Sequence, residues 1–410
     1  MSSRSKFLVV SASTCLTVML LIGTLLGKGA DQSSDTLKHI GVFSDVVAHI
    51  RSEYVEEPDM KLVTLGALNG LLESVDPFAS YLNADQYHDY LKNKDVKRGD
   101  VGLVLSRKYS YAGLIGVVGT VPDSPAAKAG FGAGDIIETI KGVSTRDMPL
   151  AYANLLLTGD AGSELELGVV HVRRGEPQTV KLIRANLAIP TIEGRMVDDH
   201  VGYLDVKALG AAQVKQTAAA IQSLQHDGAR KLVVDLRNCA LGSPEDGIAL
   251  ANLFLKSGRI TYLKGQRVPQ QNFDADPAQA ITTLPVAVLT NHGTADGAEI
   301  AAAGLADNKR AQVVGERTYG DAALRRAITM DDGGAIILSV AKYYSADGKA
   351  IQDSGVTPAT TVANAEPPVE LDENGEPVPP DESQQPAQKK LEDDPVFKKA
   401  LEVLNGSSKV

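Results

Sequence analysis

An α/β fold joined to a separate β-rich unit and a helical N-terminal region is the architecture that this 410-residue sequence predicts. Three patterns carry that expectation. Between positions 193 and 363 strand-like and helix-like segments alternate, at the spacing that parallel strands with covering helices require. From 99 to 188 short apolar runs are punctuated by Gly, Pro and Asp, the texture of a compact β unit. From 31 to 95 apolar residues recur every three or four positions, as on one face of a helix.

The first thirty residues form a leader. Phe7 to Leu26 carries no charge and follows Arg4 and Lys6. Such a run is long enough to cross a hydrocarbon core of about 30 Å as a helix. The exit reads Gly27-Lys28-Gly29-Ala30, and Lys28 spoils the small-x-small pattern of a cleaved signal peptide. An uncleaved anchor over 7–26 is the expectation, with the body outside the cytoplasm because the positive flank stays inside. A cleaved leader is the alternative.

In the helical region, Ile40, Phe43, Val46, Val47 and Ile50 share one helical face, as do Leu62, Leu65, Leu68, Leu71 and Leu72. Asp76-Pro77 breaks the run. The β-rich unit holds VGLVLS, GLIGVVGTV, DIIETIKG, ELELGVVHVRR and QTVKLIRA, with one helical stretch over Met148 to Leu157. The alternating region opens with the strand VGYLDVK, the helix AAQVKQTAAAIQSLQ and the strand KLVVDLR. It continues with the helix EDGIALANLFL, the strand PVAVLT, the helix GAEIAAAGLA and the strands AQVVGE and AIILSVAKYY. Alternation at this spacing argues for parallel strands covered by helices. Beyond them lies an acidic, proline-rich stretch over 365–393, then a short amphipathic helix within 394–410.

Composition narrows the function. The chain is 43% hydrophobic and 22% charged, enough apolar residue for a sizeable core. Of the net charge of −10, the ten acids and two lysines between Glu366 and Asp394 hold −8, so the acidity belongs to a solvated tail. The net charge argues against a nucleic-acid binder, which would need a basic face. Two cysteines, Cys15 in the leader and Cys239, exclude a disulfide framework or a cysteine-rich zinc site. No HExxH motif or Ser/His/Asp order is present, and neither a metal nor a cofactor is expected.

Six motifs stand in order: LLESVDPFASYL (71–82), PDSPAAKAGFGAGDIIETIKG (122–142), VVDLRN (233–238), GTADGAE (293–299), VVGERTYG (313–320) and AKYYSADGKAIQDSGVTP (341–358). Each is weak alone. Together, with DDPVFKKALEVL at the end, the chain resembles the C-terminal processing (tail-specific) serine peptidases. The resemblance implies a PDZ domain over 97–187 beside a crotonase-like α/β peptidase core over 188–364. It also implies a body in the bacterial periplasm or its equivalent, anchored in the inner membrane.

The family resembled works with a Ser nucleophile at a helix start, a neutral Lys as base and a Gln that positions the Lys. A hydroxyl is a poor nucleophile until a base removes its proton, and a Lys does so near neutral pH only when burial lowers its pKa. At the matching positions this chain has Asp296 for the nucleophile, Asp321 for the base and Arg325 for the Gln. The family's oxyanion turn, with two glycines, reads Asp235-Leu236-Arg237-Asn238-Cys239-Ala240-Leu241-Gly242, with Leu241 in place of the first glycine. Losing one member of such a unit lowers turnover by roughly 10⁴ to 10⁶. A pseudopeptidase is the expectation.

The replacements also have structural accounts. Asp296 and Glu299 have the spacing of an N-cap with a capping box for the helix GAEIAAAGLA. Asp321 and Arg325, four apart, pair if that stretch is helical. The rival reading is an active endopeptidase. Its chemistry is either Asp296 and Asp321 sharing a proton to activate water, or a substitute hydroxyl from Thr294 or Ser243. A hard cation held by that pair with His292 or Glu299 is a further variant.

The PDZ-like segment is better preserved. Gly102, Leu103, Val104 and Leu105 match the family's loop and strand, except that Val104 replaces a second glycine. The resemblance implies backbone amides for a peptide's terminal carboxylate, a strand edge for the peptide backbone, and an opposite wall from Ala151, Leu155 and Leu156. Protein C-terminal peptides are the expected partners. An active paralogue or a second copy of the chain is a further one.

Overall fold

In the computed structural model, residues 38–94, 98–108, 113–146, 148–172, 176–192, 194–198, 200–363 and 391–406 are described. The expected anchor over 7–26 and most of the acidic stretch lie outside them. Among the described residues no helix is long and apolar enough to cross a membrane. The chain divides into two compact units, one ending at Ala67 and the other beginning at Leu68.

The first unit contains helix α1 (38–53) and the start of α2 (Met60–Glu73). The α1 residues Ile40, Val42, Phe43 and Val46 are all more than half exposed. The apolar periodicity of the sequence is therefore real, but within this unit that face is uncovered.

The second unit contains three sheets. In chain order its elements are β1 (Ser80–Leu82), α3 (Ala84–Asn93), β2 (Leu103–Ser106), β3 (Ile115–Thr120), α4 (Pro125–Lys128), β4 (Ile136–Ile140) and β5 (Val143–Ser144). Then come α5 (Leu150–Leu157), β6 (Glu164–Val170), β7 (Pro177–Ile183), β8 (Gly194–Asp198), β9 (Val201–Asp205), α6 (Ala211–His226) and β10 (Lys231–Asp235). They are followed by α7 (Pro244–Asn252), β11 (Arg259–Lys264), β12 (Gln271–Asp274), β13 (Val286–Thr290), α8 (Gly297–Asp307) and β14 (Ala311–Gly315). The last are β15 (Ala323–Thr329), β16 (Ala335–Ser345), β17 (Thr360–Thr361) and α9 (Pro395–Gly406).

The β-rich unit is an antiparallel sheet in the order β2-β3-β4-β6-β7, with β5 paired to β4. Strand β2 is its edge, and α5 packs beside it. The core is a sheet in the order β17-β14-β13-β10-β9-β8. It is parallel except at β8. Its central strands VGYLD, KLVVD and VAVLT are buried on both faces, which is why they read as continuous apolar runs. Leu204, Leu232, Val234 and Val288 meet α6, α7 and α8 through Ile221, Leu250 and Ala301 on one face. Val233, Leu289 and Val314 meet Phe397, Ala400 and Leu404 of α9 on the other. Arg237 fastens α9 by bridging Asp235 at 2.6 Å and Asp394 at 2.5 Å.

One expectation fails. The segment AIILSVAKYY does not join the parallel sheet. It forms β16, the centre of a third, antiparallel sheet with β1, β11 and β15. Alternating burial along β16 marks a sheet with unlike faces rather than a strand buried on both.

Candidate peptidase site and peptide groove

The site lies where β13 turns into α8. A parallel strand delivers its C-terminal end to the first turn of the helix that follows, and the turn must be tight because α7 and α8 pack closely. A Cβ on Gly297 would stand 2.2 Å from the Ser243 carbonyl oxygen, and one on Gly247 would stand 2.0 Å from the Gly297 carbonyl oxygen. Asp296 takes the strain of this turn, with φ 51° and ψ −121°, a conformation that an L-residue with a side chain rarely adopts. The residue on this strained turn is an acid.

The expected capping box does not form. The Asp296 side chain caps no amide of α8. Glu299, one turn on and fully buried, turns instead to the loop before β15. It accepts the Gly320 amide at 2.6 Å, the Asp321 amide at 2.8 Å and the Thr318 hydroxyl. The sequence spacing of a capping box was present, but the positive φ at position 296 aims that side chain away from the helix amides. Burial pushes the Glu299 carboxyl up to about 7, against the pull of those three donors. Burial also holds Asp296 well above the usual carboxylate range. The Asp321 charge adds to the rise and Arg325 opposes it.

Asp321 and Arg325 do pair, through Arg325 Nη2 and Asp321 Oδ1, but not on a helix. Arg325 is in strand β15, and the loop at Gly320 and Asp321 folds the two together. The guanidinium carbon lies 4.4 Å from the Phe78 ring centroid. Phe78 is held there by Asp76, whose carboxylate accepts the Phe78 amide at 2.9 Å and the Ser339 amide at 3.0 Å. Arg325 Nε is buried without a hydrogen-bond partner.

The substitute hydroxyls are committed elsewhere. Thr294 Oγ1 is buried, donates to the Leu236 carbonyl at 2.8 Å and accepts the Asn291 amide at 3.1 Å. Ser243 Oγ donates to Asp246 at 2.8 Å and accepts the Asp246 amide at 3.2 Å, the capping box of α7. His292 is exposed in the loop. Cys239 is a buried free thiol whose pKa burial pushes up, so it is inert. At the altered turn the Leu241 carbonyl accepts the Leu209 amide at 2.7 Å. A Cβ on Gly242 would stand 2.5 Å from Leu209 Cβ, so that glycine is required by packing. Among the described residues no group of three His, Cys, Asp or Glu side chains is arranged to hold a metal ion.

Lys108 was not singled out in the sequence. Its Nζ reaches from the end of β2 into the core and donates to the carbonyls of Tyr319 at 2.6 Å, Asp353 at 2.7 Å and Gly320 at 3.3 Å. Tyr319 Oη donates back to the Lys108 carbonyl at 2.9 Å. The Lys108 amine is therefore held by three carbonyls of the loops around Gly320 and Asp353. Nothing in the local sequence signals this, because the partners lie more than 200 positions away.

The groove of the β-rich unit has the predicted elements with altered roles. Leu103 and Leu105 are buried in the unit's core, while Val104, Tyr152 and Leu156 pack against it half-buried. Ala151 and Leu155 are half-buried on α5. Gly102 forms the turn before β2 with φ 83°, and its amide is already taken by the Asp100 carboxylate at 2.6 Å. Neither Asp100 nor Tyr152 was picked out from the sequence.

These features are those of a PDZ domain beside a peptidase core, and comparison with known proteins agrees. The model of peptidase family S41 matches residues 200–362, and a PDZ-domain model matches 116–170. The chain is 30% identical over 337 residues to the carboxy-terminal-processing protease of Bartonella bacilliformis, covering 81% of this chain and 77% of that protein. It is 29% identical over 311 residues to the carboxy-terminal processing protease CtpA of Bacillus subtilis, covering 75% and 66%. The solved structure of the photosystem II D1 C-terminal processing protease superposes with a TM-score of 0.63 at 24% identity, over 77% of this chain and 85% of that one, and shares the fold. The chain belongs to the C-terminal processing proteases of peptidase family S41.

Proposed function

We propose that this family member has lost peptide-bond hydrolysis and acts as an extracytoplasmic peptide-binding or regulatory scaffold, holding extended segments of other proteins in the groove between β2 and α5. The observation that carries this reading is the chemistry at the turn into α8. Asp296 occupies the strained nucleophile position, and Asp321 at the base position is tied to Arg325. Hydrolysis by acyl transfer needs a hydroxyl beside a proton acceptor. The nearby hydroxyls of Thr294 and Ser243 are spent on a carbonyl and a helix cap. The core is read as crotonase-like, and residues 7–26 as an inner-membrane anchor that leaves the body in the periplasm. Partnership with an active paralogue or with a second copy belongs to the same proposal.

Incubating the full chain with unfolded casein tests it, alongside Asp296→Ala and Asp321→Ala. No cleavage by any of the three is expected. Cleavage by the native chain that either substitution abolishes would overturn the reading. That outcome would favour a second one, an aspartate pair that activates water, whose support is the effect of the Asp321 charge on Asp296. The ion pair between Asp321 and Arg325 weighs against it, since a guanidinium already occupies the Asp321 carboxylate.

A further inference from the structure

At the mouth of the groove the anion seat is filled from within. Asp100 Oδ1 accepts the Gly102 amide at 2.6 Å. A Cβ on Gly102 would meet Ser124 Oγ at 2.5 Å, so the turn that aims this amide at Asp100 is open only to glycine. The pairing of β2 decides which other amides face the groove. The Val121 amide donates to the Gly102 carbonyl at 2.8 Å, which turns Gly102 toward β3. Antiparallel alternation then turns Leu103 outward and Val104 inward. The Val117 amide is spent on Asp135 of the neighbouring strand, so Leu105, opposite Val117, also faces outward. The edge therefore offers a peptide two outward backbone positions, Leu103 and Leu105, and at its head a carboxylate.

Among the described residues no cation forms an ion pair with that carboxylate. Arg184, the nearby guanidinium, donates to the carbonyls of Leu157 at 2.9 Å, Leu156 at 2.8 Å and Glu164 at 3.0 Å and to Ser163 Oγ at 2.9 Å. It closes the C-terminal end of α5 and acts on Asp100 only through space. A peptide's terminal carboxylate arriving at this loop would lack the Gly102 amide and would meet a like charge.

We propose that Asp100 is a specificity-determining residue: it turns this groove away from free terminal carboxylates and toward extended segments that are neutral at the loop, such as internal stretches of an unfolded chain. The proposal, which rests on the reading of this groove as a peptide site, makes main-chain pairing at Leu103 and Leu105 the source of affinity.

The test uses the full chain in detergent micelles and three fluorescent forms of one Ala/Ser/Val octapeptide: free carboxyl, amidated, and extended by further residues. Anisotropy titration should find the amidated and extended forms bound more tightly than the free acid, on the order of tenfold, because like charges brought together discriminate strongly. Asp100→Asn keeps an acceptor for the Gly102 amide and removes the charge, and should close most of that gap. Tightest binding of the free acid by the native chain would overturn the proposal and leave the peptide-site reading standing. An Asp100→Asn chain with altered melting but an unmoved ratio of affinities would also overturn it, since the residue would then be structural only. Binding of none of the three forms would sink the peptide-site reading and this proposal with it.

Discussion

Glu299 Oε2 accepts the amide of Asp321 at 2.8 Å across 22 positions of sequence. The first turn of α8 is thereby tied to the loop at Gly320 and Asp321. A buried acid in that role makes the fold pH-sensitive. Its carboxyl is raised from 4.5 to about 7 by burial. A group whose folded pKa is raised contributes stability that is complete below the unfolded value and is lost as pH rises through the folded one. Asp296 shifts in the same direction. Thermal unfolding followed by circular dichroism should therefore show a melting temperature that falls between about pH 5 and pH 7.5, with a contribution from Glu299 on the order of 3 kcal/mol. A melting temperature that rises across this window would contradict the burial of these two acids.

Asp296 combines a strained backbone with a desolvated carboxyl, so its removal should stabilise the fold. Positive-φ strain costs about 1–3 kcal/mol, and glycine relieves it while losing some unfolded-state entropy. Asp296→Gly should raise stability by about 1–2 kcal/mol on those grounds, and Asp296→Asn by less, since only the charge is removed. Urea unfolding of both variants at pH 7.5 measures this. A destabilised Asp296→Asn would mean that the carboxylate has a partner in the folded state.

The parts of the molecule visible in its sequence are those that depend on neighbours in the chain. The runs KLVVD and VAVLT gave the buried parallel strands because burial on both faces leaves no alternation. The order of the six motifs placed the chain in its family without coordinates. What stayed hidden depends on contacts between distant segments. Glu299 had the spacing of a capping box, yet its partners are Thr318, Gly320 and Asp321. The Asp321 and Arg325 pair was expected on a helix and forms where a loop meets strand β15, since either backbone brings those two tips together. β16 carried an apolar run like those of the parallel strands, and only its pairing with β1, β11 and β15 places it in another sheet. Asp100 was legible in principle: an Asp two residues before a glycine is a common way of capping a turn.

Lys108 supplies a further prediction about how the PDZ domain sits on the core within the second unit. Its ammonium donates to carbonyls of Tyr319, Gly320 and Asp353. Lys108→Met keeps the stem and removes the charge, leaving those carbonyls short of a donor. Hydrogen bonds to charged groups contribute about 1.5–3 kcal/mol each before water substitutes, so a total loss of about 2 kcal/mol is expected in urea unfolding. Protection of the Gly320 and Asp321 amides from hydrogen exchange should fall in the same variant. Unchanged stability and exchange would mean that water serves those carbonyls equally well.

On the proposed reading, placing Ser and Lys at positions 296 and 321 tests how far this site can serve as a peptidase framework. The elbow at position 296 still has the strained geometry, and Glu299 still holds the loop at 320 and 321. Asp296→Ser alone should remain inactive, because its hydroxyl would face Asp321 in ion pair with Arg325 and no neutral amine. Adding Asp321→Lys supplies a base, but Arg325 would then stand beside it as an unpaired like charge. Arg325→Gln removes that charge and frees the stack on Phe78. Activity should therefore appear only in the triple variant, and slowly. Leu241 still has its backbone N–H, so a turn with leucine in place of glycine has lost conformational freedom rather than a donor. Adding Leu241→Gly should raise the rate again. Casein cleavage by the four variants measures the series, and cleavage already present in Asp296→Ser would show that a base other than residue 321 serves the site.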